Sequence, residues 1–253
     1  ENFPCVSASA MMEGCMESGK DVTEGGAKYN RTGLTAAGTA NVGDSLMAIK
    51  KLCFDERVCT LPRLLDAVRD NWRNAEDLRR QVLRAPHWGD DSEEATALAR
   101  FLLGTIADEV EPLRNNRGGR YQLATWIYRE FRFWGEKTRA LPDGRRDGDY
   151  LAQGLNPSFL HADDITTVIN AIGRLDHKRL FASNTNIVLG RDHASPRIIE
   201  ALFRSFAQCG MHQLQLNCFQ REDLLDAQKH PERHRSLIVR MCGFSARFVA
   251  LSP

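Results

Sequence analysis

The sequence of 253 residues carries 34 basic and 33 acidic side chains, so its formal net charge is +1. This balance disfavours a protein dedicated to binding nucleic acid, because such proteins usually carry a clustered basic excess. Hydrophobic residues make up 42% of the chain and charged residues 26%, which is typical of a globular protein with a sizeable core. No apolar run approaches the roughly 20 residues that a membrane-spanning helix needs.

The spacing of apolar residues predicts a mixture of helices and strands. The first 45 residues are rich in Gly, Ser and Ala, so we expect mostly loops and turns there. Thr60 reads as the N-cap of a helix with Pro62 just inside it. Helical periodicity predicts helices over 41–52, 61–72, 91–113, 165–175, 198–208 and 222–228. Short apolar or alternating runs predict strands over 121–133, 187–189, 213–217 and 248–251. Helices outnumber strands and the two kinds are mixed, which favours the α/β class.

Cysteine usage indicates a reducing compartment. The seven cysteines lie at positions 5, 15, 53, 59, 209, 218 and 242. The odd number, the irregular spacing and the lack of a Cys-x-x-Cys pair do not indicate a disulfide framework. We therefore expect a cytoplasmic protein in which most of these thiols are packing residues. The sequence lacks an initiator Met and a signal-peptide pattern, and we expect a portion of a longer chain that is truncated at both ends.

Two short motifs at opposite ends of the chain could carry radical chemistry. The first is Glu13-Gly14-Cys15-Met16-Glu17, here called the Cys loop (13–17), and the second is the glycine loop (239–248) around Gly243. A radical on a glycine α-carbon is delocalised into the amide on either side, and without a Cβ the centre can flatten without strain. A thiol has a weak S–H bond, so a cysteine can give its hydrogen to such a glycine and then take hydrogen from a substrate C–H bond. This chemistry needs a closed site.

Together and in this order, the two motifs resemble the signature pair of the glycyl radical enzymes, the family of pyruvate formate-lyase. The resemblance implies the C-terminal part of a barrel of strands sheathed by helices, with the Cys loop and the glycine loop meeting inside. It implies that Gly243 stores a radical installed by a separate radical S-adenosylmethionine activating enzyme, and that Cys15 becomes the thiyl radical. Further segments that are similar to the family, in the same order, are 25–30, 40–52, 140–145, 213–217 and 224–232.

Glu17 matches the glutamate of the Gly-Cys-x-Glu loop in the family's dehydratases and related lyases, where this residue acts as a base on a substrate hydroxyl. In an extended loop, residues two apart point the same way, so we expect the Glu17 carboxylate beside the Cys15 sulfur. A carboxylate in such a pocket is expected to have a tuned pKa.

The Cys loop also favours one branch of the family. Pyruvate formate-lyase needs two adjacent cysteines in this loop, whereas Cys15 is flanked by Gly14 and Met16. We therefore expect a lyase that cleaves a C–O, C–N, C–S or C–C bond of a small-molecule substrate, of the dehydratase or decarboxylase type. A formate C-acetyltransferase like pyruvate formate-lyase is an alternative. A non-catalytic fragment or a glycyl radical spare-part protein is another, although known spare parts resemble the glycine end only.

The resemblance also implies partners and a few secondary features. It implies no bound metal or organic cofactor, a homodimer in the full-length protein, and no nucleic-acid or membrane partner. Cys242 beside Gly243 could be a second redox residue, but a small packing side chain is the simpler interpretation. His230 and His234 could bind a metal together, but no third ligand is evident. We expect 143–145 to form a structural clamp near the mouth of the barrel.

Overall fold

The structure is a computed structural model, which describes residues 3–127, 129–241 and 244–251. Its α-helices are α1 (Val6–Met11), α2 (Cys15–Ser18), α3 (Thr39–Ile49), α4 (Leu61–Arg69), α5 (Glu76–Val82), α6 (Glu93–Val110), α7 (Glu130–Gly135), α8 (Ile165–Gly173), α9 (Pro196–Gln208) and α10 (Arg221–Lys229). Its strands are β1 (Arg31–Thr35), β2 (Arg120–Ala124), β3 (Leu180–Ala182), β4 (Thr185–Leu189), β5 (Leu214–Cys218), β6 (Ile238–Met241) and β7 (Phe244–Arg247). A π-helical turn, Lys50–Asp55, continues α3.

Five strands form two parallel sheets, one of three strands and one of two. β2 pairs with β1 on one side and with β3 on the other, and β4 pairs with β5. Only residues 183–184 separate β3 from β4, so β4 continues where β3 ends. The N–H of Thr125 donates to the Ala182 carbonyl at 2.9 Å, and that of Thr185 donates to the Gln213 carbonyl at 3.0 Å. These bonds extend the β2–β3 and β4–β5 pairings at the place where β3 gives way to β4. Over the described residues neither sheet closes into a barrel.

Helices cover one face of each of these two sheets. Leu123 of β2 lies in a buried cluster with side chains of α6 and α8. Ile187 and Leu189 of β4 pack with side chains of α8 and α9. Because successive side chains of a strand point to opposite faces, Asn186 and Val188 point away from the helices. The arrangement agrees with the predicted α/β architecture of strands sheathed by helices.

The segment 135–149 is held by a buried arginine. Arg145 is fully buried, and its guanidinium donates hydrogen bonds to the main-chain carbonyls of Gly135, Thr138, Arg139 and Asp149. The Asp143 carboxylate accepts from the Arg145 N–H at 2.9 Å and from the Asn41 side chain of α3 at 2.7 Å. The indole N–H of Trp72 donates to the Arg145 carbonyl at 3.1 Å. These contacts confirm the predicted clamp, while its place at a barrel mouth stays a prediction.

Most predicted helices are present, with ends shifted by a few residues. The Thr60 hydroxyl caps α4 by accepting from the Arg63 N–H, and Pro62 lies in the first turn as expected. Ser92 caps α6 in the same way through the Ala95 N–H. The helix predicted over 41–52 is α3 followed by the π-helical turn. The sequence does not predict helices α1, α2, α5 and α7 or strands β1, β3, β6 and β7, because each is short and carries little periodic signal.

Two strand predictions are wrong. The aromatic segment 121–133 is not one strand: β2 ends at Ala124, and α7 begins at Glu130. The segment 248–251 is not a strand either, since Phe248–Ala250 forms a 3-10 turn in which the Leu251 N–H donates to the Phe248 carbonyl. In both cases a short apolar run fits strand and helical turn equally well, and hydrogen bonding that the sequence does not show decides between them.

Candidate active site

The Cys loop forms a tight helical turn. Cys15 is the first residue of α2 and is only 3% exposed. Gly14 precedes it with φ +98°, and a Cβ on Gly14 would lie 2.6 Å from the main-chain nitrogen of Lys28. The Lys28 N–H donates to the Glu13 carbonyl at 2.8 Å, which docks the Cys loop against the segment before β1. Glycine at position 14 therefore allows both the left-handed backbone and the close approach that bury the thiol.

The structure corrects the predicted conformation around Glu17. Left-handed glycines at 14 and 19 bracket the four residues of α2, so the loop is helical and not extended. Residues two apart on a helix point roughly 200° away from each other, and the argument that placed Glu17 beside Cys15 is therefore wrong. The Glu17 side chain is exposed, and its Oε2 accepts from the Gly14 N–H at 2.9 Å. Glu17 thus caps the turn that carries Cys15.

One carboxylate braces the segment around the Cys loop. Asp21 accepts hydrogen bonds from the Ser9 hydroxyl at 2.6 Å, from the Cys5 N–H at 2.9 Å, and from both the hydroxyl and the N–H of Thr23. These donors, led by Ser9, hold the pKa of Asp21 well below its usual range. The ionised Asp21 therefore ties α1 to the chain that leaves α2, on either side of Cys15.

The two strands of the glycine loop are anchored to the sheet formed by β4 and β5. β6 and β7 pair antiparallel, with Met241 opposite Phe244. The Asn217 amide of β5 accepts from the N–H of Arg240 and donates to its carbonyl, each at 2.9 Å. Cys242 and Gly243 lie outside the described residues. The radical role of Gly243 and the meeting of the two loops consequently stay predictions.

Polar side chains line the face of the sheet away from the helices. Gln215 of β5 is 3% exposed, and both atoms of its amide are buried without a hydrogen-bond partner among the described residues. Both atoms of the Asn186 amide, on β4, are likewise buried without a hydrogen-bond partner among the described residues. Beside β4 is a cavity of about 350 Å³, and neither Cys15 nor Glu17 lines it. Side chains lining it include Asn156, Phe159, His161, Asp163, Asn186 and Val188.

Sequence reasoning did not single out Asn186 or Gln215 as candidate site residues. The alternation of Gln and Leu over 213–217 predicts a strand but does not show which face is enclosed. Unpaired buried amides cost free energy unless a ligand, water or further chain meets them, so this polar face is suited to contact with another polar group.

His230 and His234, considered above as a metal pair, each lie beside a carboxylate. His234 Nε2 lies 2.6 Å from the Asp226 carboxylate, and His230 lies 3.8 Å from Glu232. In the part of the chain that the structure describes, no group of three His, Cys, Asp or Glu side chains is placed to hold a metal ion. Over the same residues, none of the helices combines the length and the apolar character needed to cross a membrane.

Known families match both halves of the chain. The family described as pyruvate formate lyase-like matches residues 1–129, which include Cys15, and the glycine radical family matches residues 151–249, which include Gly243. The chain therefore belongs to the pyruvate formate lyase-like family of glycyl radical proteins.

The individual relatives show which members of this family the chain resembles. The chain is 34% identical to a probable dehydratase, YbiW, of Escherichia coli, over 100% of this chain and 33% of the relative. It is 34% identical to the (2S)-3-sulfopropanediol dehydratase of Klebsiella oxytoca, over 98% of this chain and 32% of the relative. Among solved structures, the glycerol-bound B12-independent glycerol dehydratase of Clostridium butyricum is 33% identical to this chain, with a TM-score of 0.86. The match covers 96% of this chain and 32% of the dehydratase chain.

These similarities confirm the predicted fold class, the C-terminal part of a glycyl radical enzyme barrel. They also agree with the predicted position nearer to dehydratases than to pyruvate formate-lyase. The chain spans about a third of the length of the curated relatives that it matches.

Proposed function

We propose that the protein is a glycyl radical lyase of the dehydratase type, in which Gly243 stores the radical and Cys15 attacks the substrate. The observation that carries this proposal is the presence of both family signatures in one chain, with Cys15 in the first and Gly243 in the second. The burial of Cys15 at the start of α2 supports it, because a thiyl radical must be shielded from solvent. The Cys loop (13–17) and the glycine loop (239–248) then act as one catalytic unit.

The proposed reaction passes a hydrogen atom between three centres. A separate radical S-adenosylmethionine activating enzyme removes a hydrogen atom from the α-carbon of Gly243. The Cys15 S–H bond then gives its hydrogen to Gly243, which leaves a thiyl radical on Cys15. The thiyl radical takes a hydrogen atom from a substrate C–H bond and returns one to the product radical after elimination.

We assign proton transfer to Glu17, which takes a proton from a substrate hydroxyl as the neighbouring C–O bond breaks. The Gly14 N–H donates to the Glu17 Oε2 at 2.9 Å and so orients this carboxylate on the turn that carries Cys15. Glu17 is thus a base held by the backbone of the same turn that carries the thiol. Its exposed position leaves one face of the carboxylate open to a proton donor.

The substrate that this proposal favours is a small polyol. Two of the dehydratases compared above are named for a sulfopropanediol and for glycerol, molecules with hydroxyl groups on neighbouring carbons. The partners are that substrate, the activating enzyme, and a second copy of the protein in a homodimer. Acyl transfer of the pyruvate formate-lyase type needs two adjacent cysteines, whereas Gly14 and Met16 flank Cys15 in this chain.

The test is anaerobic activation followed by substrate addition. The protein is incubated with an activating enzyme, S-adenosylmethionine and a reductant, then given glycerol or 3-sulfopropanediol, and the aldehyde product is measured. We expect product from the wild type and from the control Cys218→Ser, and none from Cys15→Ala or Gly243→Ala. Formate production from pyruvate, or turnover by Cys15→Ala, would contradict the proposal.

A further inference from the structure

Two cysteines outside the radical loops lie next to each other. The sulfur atoms of Cys53 and Cys59 are 3.8 Å apart. Neither residue contacts the Cys loop or the glycine loop through any hydrogen bond of the described residues, and the proposed reaction uses neither. Their simplest interpretation from sequence was packing, and both do pack in the cluster around Leu64 and Trp72.

The backbone fixes this pair in place. Cys53 lies in the π-helical turn after α3, and Cys59 lies just before the N-cap of α4. The N–H groups of Val58 and Cys59 both donate to the Leu52 carbonyl, at 2.8 and 3.3 Å. These bonds fold the chain back so that Cys59 returns beside Cys53. The proximity of the thiols is thus a property of a hydrogen-bonded turn and not of two freely moving side chains.

The two thiols differ in access. Cys59 is 8% exposed, whereas Cys53 is half-buried and the more open of the two. A small oxidant therefore meets Cys53 first, and Cys59 is in position to react with whatever forms there. To form a disulfide, the sulfurs need to approach from 3.8 Å to about 2.05 Å.

We propose that Cys53 and Cys59 are a dithiol that hydrogen peroxide closes to an intramolecular disulfide. In the first step the Cys53 thiol attacks the peroxide, forming a Cys53 sulfenic acid and releasing one water. In the second step the Cys59 thiol attacks the sulfenic sulfur, forming the S–S bond and releasing a second water. Overall the two thiols are oxidised by two electrons, the O–O bond of the peroxide is reduced, and their two protons leave in water.

The chemistry of the site also sets its rate. Burial, followed by the neighbouring Cys59 thiol, raises the pKa of Cys53 to about 11. The thiolate is the reactive form, so little of it is present at neutral pH and the disulfide should form faster as pH rises. The dithiol is therefore slow to react and stays reduced until peroxide is present in excess.

The experiment uses the purified, reduced protein and peroxide, followed by blocking of free thiols and digestion with trypsin. Arg57 lies between the two cysteines, so trypsin separates 52–57 from 58–63, and only a disulfide holds these peptides together. We expect this disulfide-linked pair of peptides to form in the wild type and to separate when a thiol reductant is added. It should be absent from both Cys53→Ala and Cys59→Ala. The control Cys218→Ala, at an exposed thiol, should form it as the wild type does.

The variants also test the order of steps. In Cys59→Ala, the sulfenic acid on Cys53 has no resolving thiol, so we expect oxidation to continue to the sulfinic acid. In Cys53→Ala, we expect Cys59 to stay reduced because it is buried. If peroxide oxidises the exposed Cys5 and Cys218 of the wild type without linking 52–57 to 58–63, the proposal is overturned.

Discussion

The Cys loop and the Arg145 clamp are both short, glycine-containing turns organised by charged side chains, yet they differ in where the charge lies. In the clamp the guanidinium of Arg145 is fully buried and satisfies four main-chain carbonyls. Around the Cys loop the organising carboxylates, Asp21 and Glu17, lie near or at the surface and bind local N–H and O–H groups. The fold is therefore secured at the clamp, while the Cys loop is held by bonds that are easier to break.

This difference suits the proposed chemistry. A turn that carries a thiol between a glycine radical and a substrate is expected to come from the less stable part of a fold, because loops that move must open at low cost. The deeper part of the structure supplies a rigid frame, in which Asp143 joins the clamp to α3 through Asn41.

The largest predicted effect comes from removing the clamp. Arg145→Met leaves buried carbonyls without donors and the Asp143 carboxylate without its neighbouring cation, which should lower the free energy of unfolding by about 3–5 kcal/mol. Urea unfolding measures it. The control Arg146→Met removes an exposed ion pair with Glu76 and should cost under about 1 kcal/mol. Equal losses in both variants would show that the clamp does not secure the fold.

A smaller effect is expected in the Cys loop. Gly14→Ala places a Cβ 2.6 Å from the Lys28 nitrogen at φ +98°, so strain of about 1–3 kcal/mol should open the loop locally. Hydrogen exchange at the Lys28 amide, which donates to Glu13, reports this opening. Gly19→Ala is the matched control, because its φ is +63° but no atom lies within 4 Å of the added Cβ. Faster exchange in Gly19→Ala than in Gly14→Ala would contradict the packing role of Gly14.

Helix α3, which Asn41 joins to the clamp, and the segment around the Cys loop should also respond to pH in opposite directions. Burial raises the pKa of Asp44 on α3 well above its ordinary value of 3.8, so its contribution to stability is present below that value and is lost as pH rises through the folded-state pKa. Asp44→Asn keeps an acceptor for the Trp88 N–H, at 2.6 Å in the wild type, and should flatten this loss. Urea unfolding from acid to neutral pH measures the slope, and an unchanged slope in the variant would exclude Asp44 as its source.

The smallest effect is expected at Asp21. Its pKa is lowered by the Ser9 and Thr23 donors, so its contribution is present above pH 3.8 and disappears as pH falls through the lower folded-state pKa. Asp21→Asn should make the α1–α2 segment exchange faster at neutral pH and remove its acid sensitivity. Asp164→Asn, at a carboxylate that caps α8, should leave exchange of α1–α2 unchanged. Matching changes in both variants would refute a local role for Asp21.

The sequence alone predicts features that depend on residues close together in the chain. The cap at Thr60 and the apolar spacing of α4 and α6 lie within single segments, so these helices could be predicted. The helical Cys loop could not, because it depends on the contact of Gly14 with Lys28, fourteen positions later in the chain. The polar face with Asn186 and Gln215 depends on which side of the sheet the helices cover, and that is set by packing between distant segments.

The family resemblance identified more of the candidate site than local sequence patterns did. Cys15 alone reads as a buried thiol and Gly243 alone as a turn residue, and only their order with the intervening segments indicated a radical enzyme. The conformation of Glu17 shows the limit of that reasoning, since the spacing of two residues has a different meaning on a helical turn than on an extended loop.

The most direct measurement of the central claim is electron paramagnetic resonance of the anaerobically activated protein. A radical on the Gly243 α-carbon should give a doublet, because the unpaired electron couples to the single remaining α-hydrogen. We predict this doublet in the wild type and in Cys15→Ala, and its absence in Gly243→Ala. A doublet that persists in Gly243→Ala, or no radical in an activated wild type, would contradict the account.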